Sequence, residues 1–583
     1  MEPTSQRVWT AHVLIGTLCV CFIALMARLA YIQTKMRPEL VAWSERRQTG
    51  TIPLPGCRGS ILDRRHRVLA GSQDMATVFA DPRLVPDHAE AAQRLAPILD
   101  MPAEEILRKL QKPTAPAYVV LRKRADQSMV DRLTQLSPPI PGVNLHREPA
   151  RTYPMGELAA HIIGFVNSDE KGLEGVELTC EKYLHDTPGQ RTVYYDARRR
   201  AMFEEIDAYV PPRDGMHVVL TIDAAIQEVV EREVKKAVEH FQAESGLGVV
   251  MHAQTGEILA MTCMPTFHPA HAGRTPPQNR RNRVLTDPVE PGSIFKPFVM
   301  AAALMAGVVK PSDVIYCHNG LLVLGKRMLH DSHPYGNLTA AEVIAKSSNI
   351  GMAIIGQRLG NQQMYSSLRE QGFGQLTGID LPGESVGLFM PFKAWTTYTT
   401  SSVPMGHELA VTPIQIVTAF SAIVNGGRLL QPRVVAAVVD RDGRVVVDNT
   451  KVIDKGQIFD QRTVDMMREM LVLTVNAGTG RNAQLDKWQV MGKTGTAQVP
   501  RADRRGYEPD AYLSSFLAAA PAHDPVLTVL VMVRKPNRKI AYYGSAVSAP
   551  VVKNILNESL TYLGVPPDPV PPNTRPELAR AQR

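Results

Sequence analysis

Three short stretches, Ser293-Ile294-Phe295-Lys296, Ser347-Ser348-Asn349 and Lys493-Thr494-Gly495, occur in that order, with 54 residues from Ser293 to Ser347 and 146 from Ser347 to Lys493. A fold that uses them together must bring three remote segments to one place. A serine hydroxyl is a poor nucleophile at its own pKa and needs a base, an orienter for that base and donors for the oxyanion. Ser293 and Lys296, three apart on a helix, share a face and supply the first pair. Each stretch alone has a bland explanation: a solvated lysine on a helix, a turn or cap at Ser-Ser-Asn, an edge strand carrying one lysine. Their ordered conjunction outweighs all three.

The local context agrees. Glu290-Pro291-Gly292 stops any preceding element, and Pro297 is tolerable in a first helical turn, so Ser293 is expected at a helix N-terminus, where backbone N–H groups favour negative charge. The run Phe298 to Met305 is apolar almost all round and reads as a buried helix. Thr339 and Glu342 form a capping-box signature ahead of Ser347. Lys493-Thr494-Gly495-Thr496 reads as a strand beside glycines that admit a close neighbour.

Around these motifs the chain organises into segments. Val218 to Asp223 predicts a strand with Asp223 capping a helix whose face carries Ile226, Val230, Val234 and Phe241. A hairpin spans Gly248 to Met261, further strands cover Leu513 to Ala519 and Val526 to Val533, and a closing helix covers about Pro550 to Leu563. The pattern is α+β. Residues 28–215 read as an accessory region, 216–565 as the domain holding the motifs, and the Pro-rich 566–583 as a disordered tail.

Val8 to Ala27 are 20 residues without Asp, Glu, Lys or Arg, enough as a helix for the ~30 Å core of a bilayer. The stretch is longer than a signal-peptide core and lacks a clear small-x-small cleavage site, so an uncleaved anchor, 8–27, after a short tail, 1–7, is expected. Flanking charge alone, Arg7 before against Arg28, Lys35, Arg37, Arg46 and Arg47 after, would keep the body inside. The net charge of +8 fits an anionic surface or polymer, and without a basic stripe interleaved with aromatics no nucleic acid is expected. Clusters such as Arg198 to Arg200 and Arg280, Arg281, Arg283 read as solvated faces. The six cysteines show no Cys-x-x-Cys spacing, so neither metal site nor disulfide framework is indicated, and no cofactor is expected.

The ordered motifs resemble the Ser-x-x-Lys, Ser-x-Asn, Lys-Thr-Gly set of penicillin-binding proteins and serine β-lactamases. The whole chain is most similar to class B penicillin-binding proteins of the division type. Cys57-Arg58-Gly59-Ser60-Ile61-Leu62-Asp63-Arg64 resembles the signature opening that family's non-catalytic domain, and Arg151-Thr-Tyr153-Pro154, His161 to Gly164 and Gly172 to Glu177 resemble further family stretches. The chain departs at Ile294, where the family more often has Thr.

The resemblance implies a transpeptidase domain with a five-stranded antiparallel sheet and a helical subdomain, on an elongated accessory pedestal behind one transmembrane helix. It implies a peptidoglycan D,D-transpeptidase, acylated by β-lactams, acting on stem peptides in septal wall synthesis from the outer face of the cytoplasmic membrane. A membrane-embedded, lipid-linked glycan polymerase of the shape, elongation, division and sporulation family is the implied partner. In that scheme Ser293 attacks, a neutral Lys296 takes its proton, Ser347 relays a proton to the leaving amine, and Asn349 holds Lys296 and the substrate amide. Burial and the cation Lys493 would keep Lys296 neutral. Lys493, Thr494 and Thr496 receive the substrate carboxylate, Gly495 keeps the strand bare, and the N–H groups of Ser293 and Thr496 form the oxyanion hole. An elongation-type transpeptidase, a hydrolase sharing the acylation set, and a β-lactam-binding receptor without turnover stay open as alternatives. The Glu-x-x-Leu-Asn stretch of class A lactamases has no counterpart, since Lys553 precedes the one Leu-Asn, Leu556-Asn557.

Overall fold

The computed structural model describes residues 4–112, 118–195, 201–325, 327–501 and 506–568. The chain forms two compact units, 1–57 with 186–214 and 58–185 with 215–583. In the smaller unit the helix Thr4–Tyr31 runs through a π-helical stretch, Ile32–Met36, into Arg37–Gln48. Leu14, Ile15, Leu18, Phe22, Ile23 and Leu25 are all exposed, on every side of the first helix. A helix apolar all round and uncovered has lipid as its natural solvent, and the segment is long and apolar enough to cross a bilayer. The chain then enters a three-stranded antiparallel sheet of Thr49–Leu54, Gly189–Tyr195 and Ala201–Val210. Gly56 and Cys57 are tied by their N–H groups to the carboxylates of Asp186 and Asp214 (2.8 and 2.7 Å).

The larger unit is built on a five-stranded antiparallel sheet in the order Ile258–Met264, Ser245–His252, Leu527–Arg534, Tyr507–Ala520, Met491–Pro500. Successive side chains on a strand face opposite ways, and here both faces are covered. Val250, Val529, Val531 and Val533 pack with Ile226, Val230, Val234, Val552 and Ile555 from the helices Ala224–His240 and Ala549–Tyr562. Val249, Met251, Leu530 and Met532 belong to the other core, with Phe298 of Lys296–Met305 and Ile416 and Phe420 of Pro413–Val424. The strands therefore read as continuous apolar runs. Asp223 caps Ala224–His240 as expected, accepting from the Ala225 N–H.

A second sheet has seven strands, in the order Val445–Asp448, Val435–Val439, His217–Leu220, Ile61–Leu62, Val68–Ala80, Val119–Ala125, with Val143–Thr152 also on Val68–Ala80. The strand expected to open the motif-bearing domain thus lies between Ile61–Leu62, which it pairs in parallel, and Val435–Val439. The accessory and motif-bearing segments are stitched through one sheet.

The Arg58 signature gains a physical meaning here. Glu177, wholly buried, accepts from Arg58 Nε at 2.8 Å and from Arg151 Nε at 2.6 Å, and Arg151 Nη1 donates to the Gly59 carbonyl at 2.6 Å. Breaking such a cluster from one side leaves uncompensated charge inside the protein. Glu177→Ala is expected to destabilise the larger unit by about 3–5 kcal/mol. Thermal melting and protease resistance check this, and a variant as resistant as the parent would show that the cluster does not hold the fold.

Pro566 and Asp568, at the start of the Pro-rich stretch, are held against the domain. Trp488 Nε1 donates to the Pro566 carbonyl (2.9 Å), and Asp568 takes the Gln489 N–H (2.6 Å) while giving its own N–H to Lys487 (3.0 Å). A buried indole needs an acceptor, and Pro566 to Asp568 are ordered against it. Residues 569–583 and the cluster Arg198 to Arg200 lie outside the described residues.

Candidate active site

The three motifs meet beside the edge strand Met491–Pro500. Gly292–Phe295 forms a 3-10 turn that passes into the α-helix Lys296–Met305, so Ser293 sits just ahead of the helix. This turn lies against the strand. An added Cβ on Gly292 would come within 3.0 Å of Ala497 Cβ, and one on Gly495 within 2.8 Å of Ile294 Cγ2 and 2.3 Å of Ser515 Oγ. The bareness of Gly495 is thus used for this close packing against Ile294 and Ser515.

Ser347 is the C-cap of Ala340–Lys346 and has φ 59°, ψ 37°, a left-handed conformation uncommon for a residue with a side chain. The Thr339–Glu342 capping box closes the other end of that short helix. Ser348 then caps Asn349–Leu359, accepting from Gly351 N at 2.9 Å. The reversal between two capped helices presents Ser347 and Asn349 to Lys296. Lys296 Nζ donates to the Ser347 carbonyl (2.6 Å), Ser347 Oγ (3.1 Å) and Asn349 Oδ1 (2.8 Å). Lys493 Nζ donates to the same Ser347 Oγ (2.9 Å) and to the Thr494 carbonyl (3.0 Å). With two amines on its lone pairs, Ser347 Oγ is left with its proton to give. Ser293 is half-buried, and its hydroxyl makes no hydrogen bond among the described residues.

Both lysines are wholly buried, and both are pushed below the ordinary lysine value. Burial drives Lys296 down to about 7, against the opposing attraction of Asp331. Burial also drives Lys493 well down, and the charge of Lys296 adds to it. Of the two causes expected to keep Lys296 neutral, burial is the one that acts on it, and the cation effect falls instead on Lys493. Thr494 Oγ1 is engaged with Thr479 Oγ1 at 2.7 Å, and Thr496 Oγ1 accepts from Gly544 N at 3.0 Å.

Two groups carried no signal in the sequence. Asp331 accepts from Ser348 Oγ (2.6 Å), from Ile350 N (3.1 Å) and from Asn349 N, so it fixes the start of the helix bearing Asn349 and places a negative charge near Lys296. Glu290, read only as part of a break before the nucleophile, accepts from Tyr507 Oη (3.0 Å) and lies 3.2 Å from His407 Nδ1. It ties the 407 loop and the start of the strand Tyr507–Ala520 to the turn that carries Ser293.

Comparison with known proteins decides the family. Residues 246–557 match the penicillin binding protein transpeptidase domain, and residues 53–220 match the penicillin-binding protein dimerisation domain. The chain belongs to the penicillin-binding protein transpeptidase family. It is 33% identical to stage V sporulation protein D of Bacillus subtilis over 94% of this chain and 85% of that protein. It is 31% identical to peptidoglycan D,D-transpeptidase FtsI of Escherichia coli over 96% and 93% respectively. The crystal structure of penicillin-binding protein 3 from Mycobacterium tuberculosis complexed with aztreonam is similar, with a TM-score of 0.68 and 28% identity over 89% of this chain and 98% of that one. The chain thus joins a penicillin-binding transpeptidase domain and a dimerisation domain to one helix suited to anchoring in a membrane.

Proposed function

We propose that this protein is a peptidoglycan D,D-transpeptidase of septal wall synthesis, working through an acyl-enzyme on Ser293. The observation that carries the reading is the convergence of Lys296, Ser347, Asn349 and Lys493 through hydrogen bonds of 2.6 to 3.1 Å in a member of this family. Ser293 Oγ attacks the carbonyl of the penultimate D-Ala of a stem peptide, and a neutral Lys296 takes its proton. The N–H groups of Ser293 and Thr496 stabilise the oxyanion, each donor being worth about 2.7–4 kcal/mol. Ser347 passes a proton to the departing D-Ala amine, and the amine of a neighbouring stem then displaces the ester to form the cross-link. A substrate carboxylate arriving at Lys493, beside Thr494, Gly495 and Thr496, favours the charged amine there and offsets the burial that lowers it. A β-lactam follows the same first step and remains on Ser293.

The proposed topology puts residues 1–7 in the cytoplasm, 8–27 across the cytoplasmic membrane, and the accessory region, 28–215, and transpeptidase domain, 216–565, outside, followed by a tail, 566–583. Only there does the polymer substrate lie. The anchor and accessory region would meet a membrane-embedded glycan polymerase of the shape, elongation, division and sporulation family. The division role is supported by similarity to FtsI of Escherichia coli. Labelled penicillin should form a long-lived adduct that peptide mass spectrometry places on Ser293. Rapid release of the label would indicate a hydrolase, and absence of label on folded protein would sink the enzyme reading. A tagged copy should gather at mid-cell; uniform placement along the side wall would favour elongation.

A further inference from the structure

Away from the active site, a cavity of about 540 Å³ opens where the strands Val119–Ala125 and Val143–Thr152 approach the 270–274 segment. Its lining carries six cations, Lys109, Arg122, Lys123, Arg124, Arg151 and Arg274, and one carboxylate, Glu105. Consecutive strand residues normally face opposite ways, but Arg124 has φ 56°, and this break in the strand lets three consecutive basic residues share one lining. Three of the cations are balanced: Lys109 lies 3.5 Å from Glu105, Arg124 2.8 Å from Glu170 and Arg151 2.6 Å from Glu177. Arg122, Lys123 and Arg274 have no acidic partner among the described residues.

The wall behind them also holds buried polar atoms without partners among the described residues, one of them an acceptor, Glu170 Oε2, beside Arg124 and Arg151. Arg151 spends Nε on Glu177 and Nη1 on the Gly59 carbonyl, and its Nη2 is buried without a partner among the described residues. The Tyr153 hydroxyl, on the same wall, is buried and equally unpartnered. Buried donors without acceptors are uncommon, and like charges gathered in a concave, partly desolvated place repel unless an anion joins them. The concavity and volume suit a ligand of small-molecule size better than a protein face.

We propose that this cavity is an oxyanion site that receives carboxylate or phosphate groups through Arg122, Lys123 and Arg274. That these groups belong to the wall polymer or its phosphorylated precursor rests on the function proposed above; the anion chemistry does not.

The test uses the full chain in detergent, with inorganic pyrophosphate and a soluble disaccharide–tripeptide wall fragment as separate probes in calorimetric titrations. The fragment carries carboxylates and no phosphate. At least one probe should bind, more weakly as salt rises, and the combined variant Arg122→Ala, Lys123→Ala, Arg274→Ala should weaken it by at least about tenfold. Its penicillin acylation rate and melting temperature should equal the parent's. Lys123 and Arg274 are exposed and Arg122 half-buried, so the fold should survive. Binding of pyrophosphate alone identifies a phosphate source, and binding of the fragment alone a carboxylate source. The proposal is overturned if neither probe binds or if the variant binds as the parent does. Failure of acylation in the parent would remove the transpeptidase reading and leave the titrations to decide the anion site.

Discussion

Ser293→Ala is expected to abolish the penicillin adduct and to lower transpeptidation by at least about 10⁴-fold, the loss typical when a covalent nucleophile is removed. The same substitution should leave stability within about 0.5 kcal/mol of the parent. The two outcomes come from one geometric fact. Ser293 is half-buried and its hydroxyl has no hydrogen-bond partner among the described residues, so removing Oγ strands no buried donor or acceptor. The turn around it is held by other groups, Ile294 packed on Gly495 and Glu290 bound to Tyr507. Gel fluorescence with labelled penicillin and a thermal melt read the two effects separately. Label persisting on the variant would move the nucleophile elsewhere, and a collapsed melt would make Ser293 structural.

What the sequence disclosed and what it withheld divide along physical lines. The motif residues were legible because acyl transfer restricts which side chains can act, and the Thr339–Glu342 cap because its partners are three residues apart. Four strands of the main sheet were legible as apolar runs bounded by turns, and the fifth, Met491–Pro500, from the glycines around its Lys-Thr-Gly motif. The second sheet was not. Ile61–Leu62 is two residues long and pairs in parallel with a strand more than 150 residues away, so no local period marks it. Asp331 was silent for a similar reason: it holds the start of the helix Asn349–Leu359 from 17 to 19 positions away in the chain. The electrostatics were only half legible. Burial and the neighbouring cation are both expected to act on Lys296; burial dominates both shifts, while the repulsion shows on Lys493, an asymmetry that belongs to the packed fold.

That burial sets the second large effect. Lys296→Met should lower the acylation rate by about 10³-fold or more, because it removes the base while filling much the same volume. In the parent, the sign of the pH dependence follows from the direction of the shift. A lysine held down at about 7 is mostly charged below that pH and mostly neutral above it, and only the neutral amine can accept the Ser293 proton. Acylation should therefore rise through pH 7 and level off, with about a tenth of the plateau rate at pH 6. Asp331 opposes the downward shift, so Asp331→Asn should move the midpoint to lower pH while the plateau falls only as far as the helix start at Asn349 loosens. Stopped-flow acylation with a reporter β-lactam across pH 5 to 9 (roughly the window in which such a lysine titrates) measures all three proteins. A parent profile that falls through neutrality, or a midpoint that moves upward when the Asp331 charge is removed, would take the base role away from Lys296. If the midpoint moves downward and Lys296→Met is inert over the same range, the buried amine is the group that activates Ser293.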